Sequence, residues 1–180
     1  MKSRFFAVMF VLMLGIISPA QASDNKQWAN ISDIAVYTLA GTALALPAVR
    51  DDWQGFRQAA YSMGTAEGLS ILGKTVVHEQ RPDHSDNNSF PSGHTTLAFS
   101  SATTLYRRYG WQTAVPAYAL ATLTGYARVD ARKHHWYDVV AGAVIGTGSG
   151  WFFTDAFNDK VQLVPWVDSK SAGVLVGMHW

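Results

Sequence analysis

The sequence predicts an all-α domain, a bundle of about five to six helices, on three observations. Apolar or amphipathic stretches of helical length recur at about 31–49, 55–78, 94–109, 111–127 and 135–157; short polar joints separate them; strand-like alternation is confined to the tail, 161–180. A chain of 180 residues is one domain by length and buries a sizeable core without metal or disulfide staples. It contains no Cys, which excludes thiol nucleophiles and disulfide chemistry.

In chain order, Lys2 and Arg4 precede an apolar run from Phe5 to Ile17, and Ser18-Pro19-Ala20-Gln21-Ala22 ends in an Ala-x-Ala pattern that suits signal peptidase. Residues 1–22 are therefore expected to be a cleaved signal peptide, with the protein exported to the periplasm or cell envelope. The alternative is a membrane anchor, which needs about 20 apolar residues where this run offers thirteen. Residues 23–160 then form the helical domain and 161–180 a C-terminal extension.

The first helix carries Pro47 near its end and stops at the polar break Arg50-Asp51-Asp52. The second places Phe56, Ala60, Met63 and Ile71 at roughly helical spacing and delivers Lys74 near its end. Asp83–Ser89, rich in turn formers and without apolar period, reads as a surface loop. In the last helix Gly142, Gly146 and Gly150 fall four apart, a smooth side on which another helix packs closely. In the tail, Val161, Leu163 and Val167 precede a polar turn and Val174, Val176 and Met178 follow it, the pattern of a β-hairpin lying against the helices.

The net charge of +1 and the lack of a long basic run exclude the electrostatic footprint of a nucleic-acid binder. Mean hydropathy is near zero with the apolar leader included, so the mature chain is slightly hydrophilic. A soluble or peripherally membrane-associated domain is expected, with several short spans as the alternative.

Three separated clusters hold residues suited to chemistry: Lys74 with Arg81-Pro82; Pro91-Ser92-Gly93-His94; and Arg128 with His134 and Asp138. Singly, each has an ordinary explanation: basic residues closing a helix, a turn opening one, a surface pair one helical turn apart. Together they suit phosphoryl transfer, whose transition state spreads negative charge over three equatorial oxygens and needs convergent cations and donors. Lys74, Arg81 and Arg128 supply cations, and the turn through Ser92, Gly93 and His94 offers unsatisfied backbone N–H groups at a helix start. Two histidines from different segments supply a nucleophile and an acid. His134 sits one turn before Asp138, which orients its ring and steadies its developing charge, and His94 is left to donate the proton.

The pattern Lys, six residues, Arg-Pro; Pro-Ser-Gly-His; Arg, five residues, His, three residues, Asp resembles the signature of the type 2 phosphatidic acid phosphatase family, bacterial exported acid and lipid phosphatases related to vanadium haloperoxidases. Lys74–Pro82, Pro91–His94 and Arg128–Asp138 fit it at every spacing, whereas His135 and Arg132 do not. The resemblance implies an all-helical bundle in which His134 attacks phosphorus, Asp138 supports it and His94 protonates the departing oxygen. Lys74, Arg81, Ser92, Gly93 and Arg128 would hold the phosphoryl oxygens, and no cofactor or metal ion would be required. Two departures stand out: Ala127 where the family usually has Ser, and only eight residues between Arg81-Pro82 and Pro91, a short loop beside the pocket.

The expected activity is thus metal-independent hydrolysis of phosphate monoesters or lipid phosphates and diphosphates through a phosphohistidine. The expected partner is a phosphorylated small molecule or lipid. Three other readings stay open at this stage: a vanadium-dependent haloperoxidase, a non-catalytic envelope protein that binds phosphate or lipid headgroups, and a zinc site using His134 and Asp138. Convergent cations oppose the last.

Overall fold

The structure is a computed structural model that describes residues 25–155, 161–168 and 171–178. The leader expected at 1–22 lies outside the described residues. Five helices run in order: α1 (Asn25–Val49), α2 (Trp53–Val76), α3 (Gly93–Tyr109), α4 (Trp111–Asp130) and α5 (Trp136–Phe153). The strands β1 (Val161–Asp168) and β2 (Ser171–Met178) pair antiparallel, with Val161 opposite Met178 and Asp168 opposite Ser171. The all-α bundle with a C-terminal strand pair follows the expectation, with helix bounds moved by a few residues.

α3 is the axis of the bundle. It contacts α1, α2, α4 and α5, while α1 packs on α2 and α4, and α2 on α5. The sequence suggests an amphipathic helix here, but residues on every side of α3 are buried, among them Thr95, Thr96, Ser100, Ser101, Thr103 and Thr104. Their hydroxyls are satisfied locally or across helices: Thr96 Oγ1 donates to the Ser92 carbonyl, Ser101 Oγ to that of Leu97, and Ser100 Oγ pairs with Ser62 Oγ at 2.7 Å. A hydroxyl bonded this way is buried at little cost, and its small side chain lets neighbouring helices come close.

The apolar core lies between α1, α2, α3 and α4: Ala35, Leu39 and Ala43 recur four apart on α1 and meet Ala59, Ala102, Leu105, Leu120 and Ala121. Burying a leucine such as Leu39 or Leu105 contributes about 1.5–3 kcal/mol. Among the described residues α1 alone is long and apolar enough to cross a membrane by length and composition. It is also a core helix, with Ala35, Val36, Leu39 and Ala43 buried.

The glycine ladder of α5 serves the close packing expected of it. A Cβ on Gly142 would lie 2.6 Å from the Ser92 carbonyl oxygen, and one on Gly146 would lie 2.2 Å from the Thr96 oxygen and 2.8 Å from the Ser100 nitrogen. These are backbone atoms that cannot step aside. Gly146→Ala is therefore expected to destabilise the bundle by about 1–3 kcal/mol, the usual range for overpacking. Gly148→Ala, where a Cβ meets nothing within 4 Å, should be neutral or stabilising by up to about 1 kcal/mol through helix propensity. Denaturant melts of the two variants provide the check.

Asp52, part of the polar break of the sequence reading, has a larger task. It caps α2 by accepting from the Gly55 N–H at 2.9 Å, and its carboxylate takes Arg108 Nε at 2.7 Å, a second bond from Arg108 Nη2, and Tyr109 Oη at 3.0 Å. Both charged side chains are 3% exposed. This pair ties the α1–α2 corner to the end of α3.

Candidate active site

α2, α3 and α4 each bring one motif to the same end of the bundle. Lys74 stands in the last turn of α2, and its Nζ donates to the carbonyls of Asn88 at 2.9 Å and Pro91 at 2.6 Å. Those bonds fold the 81–91 loop back over the helix end and leave one ammonium N–H for the cavity that Lys74 lines. Arg81 is held by Asp86 through Nε at 2.7 Å.

α3 starts at Gly93 with Ser92 as its N-cap, so the free N–H groups of its first turn stand beside Gly93 and His94. A Cβ on Gly93 would make only ordinary contacts, 3.4 Å from Ser70 Oγ and 3.6 Å from Glu67 Oε2, so the protein's own packing does not require glycine there.

The Arg, five residues, His spacing has a local cause. α4 ends at Asp130, the chain turns through Arg132 in the left-handed region (φ 56°), and the N–H groups of Lys133 and His134 return to the Arg128 carbonyl at 3.0 and 3.3 Å. His134 is thereby folded back against Arg128. Lys133 Nζ to Asp83 Oδ2, at 2.5 Å, fastens this turn to the first-motif loop. α5 then opens with Asp138 at its third position, where Oδ2 accepts the His135 N–H at 2.8 Å and caps the helix start.

The result is one cavity of about 310 Å³, lined by Lys74, Arg81, Gly93, His94, Arg128 and His134 together with Val36, Tyr37, Glu67 and Leu97. Six of the eight residues singled out in the sequence share it. Asp138 lies behind, fully buried, with Oδ2 3.5 Å from His134 Nδ1. Ser92 also lies outside the lining, fully buried, and its hydroxyl is paired with Thr95 Oγ1 at 3.0 Å.

Electrostatics separate the two histidines from ordinary imidazoles. Burial pushes His134 down to about 4, opposed by Asp138 and reinforced by Arg128, Arg81 and Lys74, so its ring is neutral at neutral and mildly acid pH. Burial also lowers His94, with Arg128 adding to the shift and Asp33 opposing it. Burial pushes the Asp138 carboxyl up, but His134, Ser89 and the His135 N–H outweigh it and keep Asp138 ionised. Burial lowers Lys74, with Arg81 adding, and raises Glu67 against the pull of Lys74.

The motifs did not reveal three contributors. Ser89, read as part of a surface loop, is fully buried and donates from Oγ to Asp138 Oδ2 at 2.5 Å. Glu67 lines the cavity from α2, seven residues before Lys74, a helical spacing that offered a signal. Asp33, a lone acid on an apolar helix, has its Oδ1 2.8 Å from His94 Nε2.

For metal, one group among the described residues has ligand chemistry: atoms of Glu79, His135 and Asp138 lie within 4.8 Å of one another. Neither Glu79 nor His135 lines the cavity. Around the cavity itself three basic side chains oppose a cation and suit an anion.

The sequence model of the PAP2 superfamily matches residues 55–162. Over 102 residues the chain is 38% identical to the lipid A 4'-phosphatase of Helicobacter pylori, covering 56% of this chain and 52% of that protein. Over 126 residues it is 32% identical to the lipid A 1-phosphatase of Porphyromonas gingivalis, covering 66% and 28%. The chain thus spans about half the length of the first relative and under a third of the second. Among solved structures, LpxE of Aquifex aeolicus aligns with a TM-score of 0.63 at 22% identity, covering 80% of this chain and 92% of that one. The transmembrane PAP2-type phosphatidylglycerolphosphate phosphatase of Bacillus subtilis aligns at 0.59, also at 22% identity, covering 84% and 83%. These two likenesses speak for the fold.

Proposed function

The chain belongs to the PAP2 superfamily, and on that premise we propose that it hydrolyses phosphate esters of lipids through a phosphohistidine, with no metal ion in the reaction. One observation carries this reading: Lys74, Arg81 and Arg128 surround the same cavity as two histidines from different elements. An anion-binding pocket needs the cations, but only catalysis uses both imidazoles and the carboxylate behind one of them.

The phosphoryl group sits between the three cations with its oxygens on the first-turn N–H groups of α3. Asp138 faces Nδ1 of His134, so Nε2 is the nitrogen that attacks phosphorus. As the N–P bond forms and the ester P–O bond breaks, His94 gives its proton to the departing oxygen. His94, now neutral, takes a proton from water; the hydroxide oxygen bonds to phosphorus, the P–N bond breaks, and phosphate leaves. Relatives named as lipid A phosphatases support a lipid substrate.

We take the working location to be a membrane surface of the cell envelope, following the export leader expected at 1–22. Exposed Trp136, Val140 and Val144, four apart along α5, offer apolar contact for it.

The test is a panel running from an aryl phosphate to lipid A-type and glycerolipid phosphates, assayed on soluble and membrane fractions, with quenched label trapped as an acid-labile, alkali-stable phosphoenzyme. Lipid phosphates are expected to be the better substrates and the label to appear. A phosphoenzyme that survives acid would overturn the histidine route.

Two further results are expected. Chelators leave the rate unchanged and vanadate inhibits strongly by mimicking five-coordinate phosphorus; activity lost to chelator and restored by zinc would point to a metal mechanism. The pH profile of kcat/KM is also fixed in direction. His134 must be neutral, so activity rises as pH climbs through its value of about 4. His94 must be protonated, so activity falls as pH climbs through its value, which lies below the ordinary 6.5. The optimum is therefore mildly acid, and an optimum above pH 7 would contradict the assignment.

A further inference from the structure

Asp33 stands outside all three motifs, on α1, yet its carboxylate reaches two members of the site. Its Oδ1 is 2.8 Å from His94 Nε2 and 3.7 Å from Arg128 Nη1, and the neighbouring Ser32 Oγ accepts from that same Nη1 at 3.2 Å. α1 thus sets two consecutive polar residues against the acid and one cation. The His94 side chain is 29% exposed and that of Asp33 46%, so the contact is reached by solvent rather than sealed in the core.

A general acid must hold its proton when substrate arrives, and the surroundings of His94 work against this. Burial, Arg128 and Arg81 all disfavour the imidazolium. Asp33 and Tyr37 from α1 contact the ring, and Glu67 and Lys74 from α2, Arg81 from the loop, Arg128 from α4 and His134 from the turn before α5 share its cavity. Of these, Asp33 is the carboxylate in hydrogen-bond contact. Occupying Nε2 also settles which nitrogen works, because only Nδ1 remains for the substrate.

We propose that Asp33 is a positioning residue for proton delivery: its carboxylate locks the His94 ring with Nδ1 toward the leaving oxygen and stabilises the imidazolium that donates. The proton passes from Nδ1 to that oxygen as the P–O bond breaks, and Asp33 keeps its contact with Nε2. The proposal rests on the phosphatase reading in making His94 the acid, but the contact between Asp33 and His94 can be tested without turnover.

In the full chain, histidine-ring NMR titration of wild type and Asp33→Asn should show the His94 midpoint falling by about one pH unit or more on loss of the carboxylate, with His134 unmoved. In parallel, wild type, Asp33→Asn, Asp33→Glu and His94→Ala are compared on phosphate esters of rising leaving-group pKa. General acids contribute about 10²–10⁴-fold, so Asp33→Asn should lose roughly 10- to 100-fold in kcat on the poorest leaving group and far less on the best. Its alkaline limb should move to lower pH, and Asp33→Glu should recover part of both.

An unmoved His94 midpoint in Asp33→Asn overturns the proposal. So does a steep leaving-group dependence in His94→Ala with none in Asp33→Asn. A loss in His94→Ala that ignores the leaving group overturns the acid assignment itself; a His94 midpoint that still falls in Asp33→Asn would then confine the failure to the reaction and leave the electrostatic contact standing.

Discussion

His134→Ala is expected to lose on the order of 10⁴- to 10⁶-fold in kcat, the scale seen when members of a nucleophile–base unit are deleted, and to form no phosphoenzyme. The ring is 2% exposed and sits between Asp138, 3.5 Å from Nδ1, and the cavity. With its value pushed down to about 4, the ring carries a free lone pair over the whole working range. Alanine removes the attacking atom while leaving the three cations in place, so phosphate binding should persist in the variant although turnover does not. That split between binding and chemistry is the informative readout. His135→Ala is the adjacent control: its side chain is outside the cavity lining, and a loss comparable to that of His134→Ala would mean the register of the third motif is wrong.

Asp52→Ala is expected to cost about 3–5 kcal/mol of stability, the range for removing one partner of a buried ion pair, with the α2 cap included in the loss. The cost arises because the guanidinium of Arg108, 3% exposed, loses both of its hydrogen bonds to a buried carboxylate. Exchanging Asp52 and Arg108 together for apolar residues should recover a good part of the loss, since neither charged group then has to be desolvated. Acid adds a second check. Burial pushes the Asp52 carboxyl up, but Arg108, the Gly55 N–H and Tyr109 outweigh it and hold it below the ordinary 3.8. Its stabilisation is therefore complete above about that pH and disappears as pH falls through the depressed value. Denaturant midpoints of wild type and Asp52→Ala should converge as the pH drops below 3.8; a constant gap would remove the ion pair as the cause.

The sequence reading failed where burial and polarity part company. α3 looks amphipathic from its composition, but its serines and threonines face inward because their hydroxyls bond carbonyls one turn back or hydroxyls on neighbouring helices. Asp83–Ser89 looks like a surface loop because turn formers are mostly solvated, but Ser89 is drawn inside to Asp138. Asp51 and Asp52 look alike on paper, and only the arrival of Arg108 from the end of α3 makes Asp52 a buried anchor.

What the sequence determined by itself was everything set by spacing along one helix or one turn. Helical period located the five helices, four-residue steps marked the glycine face of α5, and five- and three-residue intervals fixed His134 between Arg128 and Asp138. Such intervals have one geometric outcome once local secondary structure forms. Tertiary structure alone decided which distant residue would complete each charge: Asp33 on His94, Arg108 on Asp52, Ser89 on Asp138. Those pairings depend on how helices far apart in the chain settle around α3, and no periodicity along the sequence encodes the distance across a packed core.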